Sequence, residues 1–513
     1  MSLNFTSISS GRKKSVTERI HHWLKRQLLD KRLNSPFGYL LLLLAAVFIS
    51  AGTAVLGLKF GIGLLFLIIG IPVLLGSVFN LQFGLITFFV ISFIIMGISR
   101  FVSGIPLGTV MDAFIAALFF GLLIKQIGSK KKLNIADPVS WLVIIWIVYN
   151  LIQVFNPAAA SRVAWLYTIR TVAGSMLIYF IALQAIKSLN FVSVLFKIWI
   201  VLAVIGAIYG LKQEFLGFAE MEHAWVLADE ERFSLLFTWG RFRRFSFFSD
   251  PTVFGILMAY TSLLCFVLMT GRMAIGKKIL LGISAILMLL AMVYSGTRTA
   301  YAVVPIGAAF FTVVTFRRKI ILMAGVMVLL GAAVLFLPIN SIGPLDSNAL
   351  DRIRSAFTME ENPSYNVRLK NQEYIQPHIW SHPIGWGLGS IGVWGLRFSP
   401  DSPVASFPPD SGFVRVAVEQ GWIGLILYSI LLFTIFRYGI RHYLLSEHPR
   451  VRTYYVGVLT VLFSLMVANY PQQSYAIYPT IVVFNICTAI VVRLKDFDNE
   501  EMEKLNGGIK SIN

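Results

Sequence analysis

Long apolar runs separated by polar turns occupy most of the chain. Runs of about 17 to 25 apolar residues, the length that a helix needs to cross roughly 30 Å of hydrocarbon, recur along it. We therefore predict an all-α, polytopic integral membrane protein with about 12 to 14 membrane-spanning helices. The candidate spans are 37–56, 60–79, 83–98, 107–126, 138–156, 163–185, 191–211, 251–271, 279–294, 300–316, 319–338, 412–436, 453–469 and 475–492.

Composition agrees with this pattern and excludes a soluble globular protein. Hydrophobic residues make up 57% of the 513 residues, charged residues only 13%, and the mean hydropathy is +0.75. The formal net charge of +19 would suit a nucleic-acid partner, but the basic residues lie at alternate ends of the spans and form no single patch. We expect a basic tail at 1–36, one membrane domain at 37–493, a second tail at 494–513, and no nucleic-acid partner.

The basic clusters predict which turns face the cytoplasm, because lysine and arginine are retained on that side of membrane helices. The clusters that share one side of the predicted spans are 12–32, 130–132, 272–278, 317–319, 437–452 and 493–495. Both termini are therefore expected in the cytoplasm, with the first span acting as an uncleaved signal-anchor. Three segments then lie outside, namely 212–250, the turn 295–298 and 339–410.

The outer segment 339–410 is the longest polar stretch of the chain, and we expect it to be folded. Apolar residues recur at helical spacing from Leu350 to Phe357, and a second short helix is predicted after Pro363. Amphipathic helices beside a bilayer lie on its interface or cover a cavity. The sequence thus predicts a large periplasmic loop with short amphipathic helices of its own.

Arginines are concentrated on the predicted outer segments, against the topological bias. Guanidinium groups bind phosphate oxygens in a bidentate manner and keep their charge at any working pH. An anionic lipid head group or a pyrophosphate would explain their retention outside; the alternative is pairing with the acidic residues of 220–231. The outer arginines are Arg241, Arg243, Arg244, Arg298 and Arg368.

Further ionisable residues lie in or beside an apolar span, where desolvation is costly unless they are paired or functional. Asp112 and Arg170 are two of them and would be partners in helix packing, although no sequence pattern pairs them. Arg415 and Glu419 are four residues apart on one helical face, so a mutual ion pair and a functional role both remain open. Asp410 precedes that helix, where it would serve as an N-cap or as a general base at the membrane surface.

Two other patterns carry little weight. His378 and His382 have the spacing of a metal-binding pair, but no carboxylate completes a ligand set nearby, and we predict no metal site and no cofactor. The glycine-rich stretch 385–389 lacks the flanking strand and helix of a nucleotide-binding fingerprint, so a tight loop is the better interpretation.

Taken in order, several short motifs between about residues 240 and 435 resemble the superfamily of bacterial O-antigen ligases and O-antigen polymerases. Each motif alone is weak, and their order gives the specificity. The motifs are an aromatic lead into Asp-Pro at 247–251, a Ser-Gly-x-Arg turn at 295–298, Arg368 ahead of His-Pro-x-Gly-x-Gly at 382–387, and Asp410-Ser411-Gly412 ahead of Glu419 and Gly-x-x-Gly at 421–424.

The resemblance implies a metal-independent, inverting glycosyl transfer on the outer face of the bacterial inner membrane. The donor would be an undecaprenyl-diphosphate-linked oligosaccharide and the acceptor a lipid-linked hydroxyl, within membrane lipid and with a possible chain-length regulator protein as partner. The pyrophosphate would be held by Arg298, Arg368, Arg243, Arg244 and Arg415. Asp410 would be the base, with Glu419 behind it.

One departure from the family pattern favours a polymerase. Ligases of this family typically carry a histidine-asparagine pair where this chain has Asp410-Ser411. We therefore predict a polysaccharide polymerase, for O-antigen, capsule or exopolysaccharide, with an O-antigen ligase as the alternative. A polysaccharide or lipid-linked oligosaccharide flippase is the alternative from another class, although flippases need no folded late loop and are commonly built from repeated halves.

Overall fold

The structure, a computed structural model, describes residues 35–100, 107–127, 135–238, 240–337, 347–355, 363–408 and 410–510, with the single residues 341, 343 and 357. Most of the predicted tail 1–36 and the basic cluster 130–132 lie outside the described residues. Contacts divide the chain into two units, Met1–Gly84 and Leu85–Asn513.

Two apolar helices follow one another in the first unit, α1 (Pro36–Leu56) and α2 (Leu58–Phe79). The Ser35 hydroxyl caps α1 by accepting a hydrogen bond from the Gly38 N–H at 3.1 Å. Gly57 separates the helices with a φ of +81°, a conformation that favours glycine. These helices coincide with the first two predicted spans.

The remaining elements are helices and one short antiparallel hairpin of β1 (Phe237–Thr238) and β2 (Arg241–Phe242). Before the hairpin come α3 (Leu81–Ser99), α4 (Leu107–Ile127), α5 (Pro138–Ile152), α6 (Arg162–Val172), α7 (Leu177–Ala185), α8 (Leu189–Phe215), α9 (Glu220–Leu227) and α10 (Glu230–Leu236), with 3₁₀ turns at Gln153–Phe155 and Gly174–Met176. After it come α11 (Pro251–Met269), α12 (Ile275–Tyr294), α13 (Arg298–Thr315), α14 (Arg318–Phe336), α15 (Ser347–Ser355), α16 (Pro363–Ser381), α17 (Gly392–Phe398), α18 (Gly412–Leu445), α19 (Pro449–Ala468) and α20 (Thr480–Lys510).

The prediction of an all-α polytopic membrane protein is confirmed. In the described part of the chain, 11 helical segments are long and apolar enough to cross a membrane, against the 12 to 14 predicted. Three predicted spans are not among them, 60–79, 319–338 and 475–492. The predicted span 475–492 is not among them because α20 begins only at Thr480 and becomes charged after Val492. The two predicted loop helices are present as α15 and α16, and α17 is a third that the sequence did not predict.

Segments predicted to face the same side of the membrane meet at the same end of the second unit. Arg272, Arg317 and Arg452 come from three predicted cytoplasmic turns and line one cavity of about 280 Å³. The predicted outer segments meet at a different cavity. This sorting agrees with the predicted alternation of the turns, while the orientation of the termini stays a prediction.

Helix α11 is the most buried of the candidate spans, with 83% of its residues buried. Its N-terminus is fixed by Asp250, whose Oδ1 accepts hydrogen bonds from the backbone N–H groups of Thr252 and Val253 at 2.8 and 3.0 Å. Proline at the first helical position suits this start, because its missing N–H would be unpaired there anyway. The Asp-Pro motif therefore anchors the predicted outer end of the central helix.

A break in α18 is the main departure from regular helix. Gly421 has φ of 71° and ψ of 179°, a conformation that is almost restricted to glycine. In an unbroken helix the Ile423 N–H would donate to the Glu419 carbonyl. Here it donates to the Pro383 carbonyl at 3.2 Å, and the Glu419 carbonyl accepts from the Gly387 N–H at 2.9 Å. The loop that follows α16 thus replaces the missing helical hydrogen bonds.

Further hydrogen bonds give partners to the backbone carbonyls beside this break. The Trp386 N–H donates to the Val418 carbonyl at 2.9 Å, and the Tyr149 hydroxyl donates to the Gln420 carbonyl at 2.6 Å. A buried backbone group without a partner costs several kcal/mol in a bilayer, so each of these bonds matters. Gly385 is required as well, because a Cβ there would collide with the backbone of 419–421.

The Gly421→Ala substitution is expected to destabilise the fold strongly. The backbone conformation alone costs an alanine about 1 to 3 kcal/mol, and the new Cβ would collide with the Pro383 carbonyl. The midpoint of thermal unfolding in detergent, followed by tryptophan fluorescence, should fall clearly. Gly325→Ala on α14 is the matched control, since no described atom lies within 4 Å of its Cβ position. Equal midpoints for the two variants would contradict this account of the break.

Candidate active site

A cavity of about 900 Å³ lies where the three predicted outer segments meet. The hairpin end, the first residue of α13 and helix α15 each contribute an arginine to its wall. The segment that leads into α18 adds a carboxylate, and α16 and the turn after α19 add amides. The charged lining residues among those described are Arg243, Arg298, Arg352 and Asp410.

Arg243 is held by the Ser-Gly-x-Arg turn. Its Nε donates to the Ser295 carbonyl at 3.1 Å and its Nη2 to the Thr297 hydroxyl oxygen at 3.0 Å. The Thr297 hydroxyl in turn donates to the Pro251 carbonyl at 2.9 Å. Two of the motifs that carry the family resemblance, the Asp-Pro motif and this turn, therefore pack together and position one guanidinium group.

Arg352 is a cavity residue that the sequence analysis missed. Its Nη2 donates to the Thr238 carbonyl at 2.9 Å and to the Thr238 hydroxyl oxygen. Its guanidinium group lies against Gly296, which has a φ of +61°, and any Cβ at that position would collide with it. The sequence offered one signal, the basic last turn of the helix 347–355. Because Arg354 lies in the same turn, the pattern alone could not identify Arg352 as the cavity residue.

The arginines share a desolvated, positive environment. Burial, and after it the neighbouring Arg352 and Arg298, lower the pKa of Arg243 to about 10, although Asp250 acts in the opposite direction. Burial also lowers the pKa of Arg352. Arginine side chains stay charged at neutral pH, so an anion bound among them would relieve their mutual repulsion.

Asp410 is exposed and lines the same cavity. The N-cap of α18 is Ser411, whose Oγ accepts from the Val414 N–H at 3.4 Å, so the alternative interpretation of Asp410 as the cap is wrong. Among the described residues no side chain pairs with the Asp410 carboxylate. Its role as a base stays a prediction that this position permits.

The other predicted site residues lie elsewhere. Arg244 pairs with Glu214 at 2.6 Å. This outer arginine therefore has an acidic partner, as the alternative interpretation proposed, but the partner precedes the segment 220–231. Arg415 pairs with Glu419 at 3.2 Å, and neither residue lines the cavity as described. Arg368 lies on α16, but its side chain is outside the described part of the structure.

The histidines and the glycine-rich stretch serve the fold. His382 stacks on Trp386 with a ring-centroid distance of 3.9 Å, and the His378 carbonyl accepts from the Trp386 Nε1–H at 3.2 Å. The stretch 385–389 is the tight loop predicted, docked into the break of α18. Within the described residues no three histidine, cysteine or acidic side chains assemble as a metal-binding group.

Comparison with known proteins supports the resemblance. The family model described as O-antigen ligase (Wzy_C) matches residues 283–429, and over this segment the predicted resemblance is confirmed. The matched segment contains Arg298, Arg352 and Asp410 of the cavity, but not Arg243. A search of curated proteins found no match to the chain. The match supports a glycosyltransferase of the O-antigen ligase and polymerase type.

The Arg352→Ala substitution is expected to weaken binding of a diphosphate lipid by about tenfold or more, because a hydrogen bond to a charged group contributes about 1.5 to 3 kcal/mol. Titration of the purified protein with farnesyl diphosphate, followed by isothermal calorimetry, measures this. Arg397→Ala is the matched control, since Arg397 is exposed on α17 and stacks on Phe398 away from the cavity. Unchanged affinity in Arg352→Ala would remove Arg352 from the binding site.

Proposed function

We propose that this multi-pass membrane protein, whose residues 283–429 match the O-antigen ligase family, is a polysaccharide polymerase. It would transfer a glycan from a polyprenyl-diphosphate-linked donor to a hydroxyl of a second lipid-linked repeat unit. The observation that carries the proposal is the cavity where Arg243, Arg298 and Arg352 converge with Asp410. Guanidinium groups suit a diphosphate, and a carboxylate nearby suits proton removal.

The chemistry asks little else of the protein, because the donor carries its own leaving group. The acceptor oxygen forms a bond to the anomeric carbon while the bond between that carbon and the diphosphate oxygen breaks. The diphosphate leaves with the electron pair, and the arginines stabilise its developing charge. Asp410 takes the proton of the acceptor hydroxyl. A single displacement of this kind inverts the anomeric centre, and no metal or cofactor enters the proposal.

Placement in the cell follows from the charge pattern. The arginine cavity is built from segments that the distribution of basic residues assigns to the outer side. We propose that the reaction takes place on the outer face of a bacterial inner membrane, with undecaprenyl diphosphate as the lipid carrier. A chain-length regulator protein would be a further partner of such a polymerase.

An O-antigen ligase is the second candidate, favoured by the description of the matching family model. It would use the same donor and the same cavity, but its acceptor would be the lipid A core. The Asp410-Ser411 sequence favours the polymerase, because ligases of this family typically have histidine-asparagine there.

Reconstitution separates these functions. The purified protein in proteoliposomes receives lipid-linked saccharide extracted from membranes of the source organism, and the products are resolved on a gel. A ladder of longer glycans is expected of a polymerase. Transfer onto added lipid A core alone would identify a ligase. Movement of the lipid-linked saccharide across the bilayer, with no new glycosidic bond, would identify a flippase and overturn both enzyme proposals.

Asp410→Asn is expected to slow transfer by about 10²- to 10⁴-fold, the usual contribution of a general base, while donor binding stays intact. Initial rates at saturating donor measure the first effect, and diphosphate-lipid titration measures the second. Asp401→Asn provides the matched control, since Asp401 is exposed in the same loop and away from the cavity. A full rate in Asp410→Asn would exclude Asp410 as the base.

A further inference from the structure

A second cavity, of about 250 Å³, lies beside the arginine cavity and shares part of its lining. Asp410, Thr252 and Gln472 contribute to both cavities. The volume is several times the roughly 30 Å³ that one water occupies in the liquid. A guest larger than a single water therefore fits next to the donor site, on the other side of Asp410.

The two cavities have opposite charge. Arginines dominate the first, whereas the charged residues described around the second are the carboxylates of Asp250 and Asp410. Asp250 is fixed in place, because it caps α11 and accepts a hydrogen bond from the Ser249 hydroxyl at 2.7 Å. A diphosphate would be repelled from the second cavity, while a neutral ligand rich in hydroxyl groups would find acceptors there.

The environment of Ser474 indicates that a polar ligand binds in this cavity. The residue is only 7% exposed and lines the second cavity. Its hydroxyl has no hydrogen-bond partner among the described residues. Since a buried hydroxyl without a partner costs free energy, a bound ligand or ordered water is expected to complete it.

Gln473 lines the second cavity, and a largely buried ion pair holds its side chain. Its Oε1 accepts from the Arg415 Nη1 at 2.6 Å, and the Nε of Arg415 pairs with Glu419, which is 1% exposed. The pair thus acts on the cavity through Gln473. The predicted roles of Arg415 in phosphate binding and of Glu419 as a base do not require the two residues to pair inside α18. Their contact with Gln473 gives a physical reason for the pair.

We infer that the second cavity is the binding subsite for the acceptor saccharide. The inference rests on the proposed glycosyl transfer and deepens it by naming where the sugar that supplies the hydroxyl binds. Carboxylates of Asp250 and Asp410, the amides of Gln472 and Gln473, and the Ser474 hydroxyl recognise a neutral sugar ring by hydrogen bonds. Asp410, on the wall that the two cavities share, then faces the donor on one side and the acceptor hydroxyl on the other. Asp250 and Ser474 lie outside the matched segment 283–429, so the family match assigns them nothing.

The test uses an acceptor that cannot act as donor. Mild acid releases the saccharide from the extracted lipid-linked pool, and a fluorophore attached to its reducing end labels it without restoring a diphosphate. Elongation of this labelled saccharide by the reconstituted protein gives separate KM values for acceptor and donor. Ser474→Leu, which fills the cavity, should raise the acceptor KM by at least about tenfold, as expected when hydrogen bonds are lost and space is blocked, and leave the donor KM unchanged.

Controls separate the possible failures. Ser429→Leu makes the same exchange at an exposed position of α18 and should leave both KM values unchanged. Gln473→Glu serves as a milder second variant, and it should also raise the acceptor KM if Ser474→Leu fails to fold. Unchanged acceptor KM in both variants, or a rise in the donor KM alone, would overturn the subsite, and the cavity would then hold only water. No elongation by the unaltered protein would instead count against the polymerase itself.

Discussion

The break in helix α18 at Gly421 is the constraint on which the rest of the outer half depends. A membrane helix that breaks must recover its missing hydrogen bonds from elsewhere in the protein, because lipid supplies none. The loop 383–387 donates and accepts those bonds, and its own carbonyls at Ile384 and Gly385 are held by the side chains of Gln153 and Asn156. The long outer segment is thereby tied at one point to two membrane helices. The other helices of this outer segment are thereby held close to the arginine cavity, which α15 and α16 line.

Charge separation organises the site built on this frame. Three arginines converge on the cavity with one carboxylate, Asp410, whereas Arg244 pairs with Glu214 and Arg415 with Glu419. The excess of arginines gives the cavity a positive field, which suits the diphosphate proposed to bind there. Asp410 lies at the border of that field, next to a cavity whose charged walls are acidic. In the proposed reaction, the different charges of the two cavities would keep the anionic leaving group apart from the neutral nucleophile.

Periodicity and charge predicted the architecture well, since the length of an apolar run is set by the bilayer and each predicted span coincides with a helix or helix pair. The motifs placed Arg243, Arg298 and Asp410 together, because turns that carry function leave local signatures in glycine, proline and arginine. The sequence could not reveal Arg352, since its selection over Arg354 depends on which side of a two-turn helix faces Gly296. Asp112 and Arg170 stand out in the sequence as ionisable residues within apolar spans, but no pattern shows that they pair at 3.0 Å or that Gln473 meets Arg415. Contacts between side chains from distant helices depend on packing angles that no local pattern records.

The residues of the arginine cavity come from positions as early as Thr238 and as late as Gln472. A chain made at about 5 to 20 residues per second needs tens of seconds between those two points. Arg243, Arg298 and Arg352 are all synthesised before the turn after α19 that completes the lining of their cavity. The cavity is therefore complete only when, of the described helices, α20 alone remains to be made.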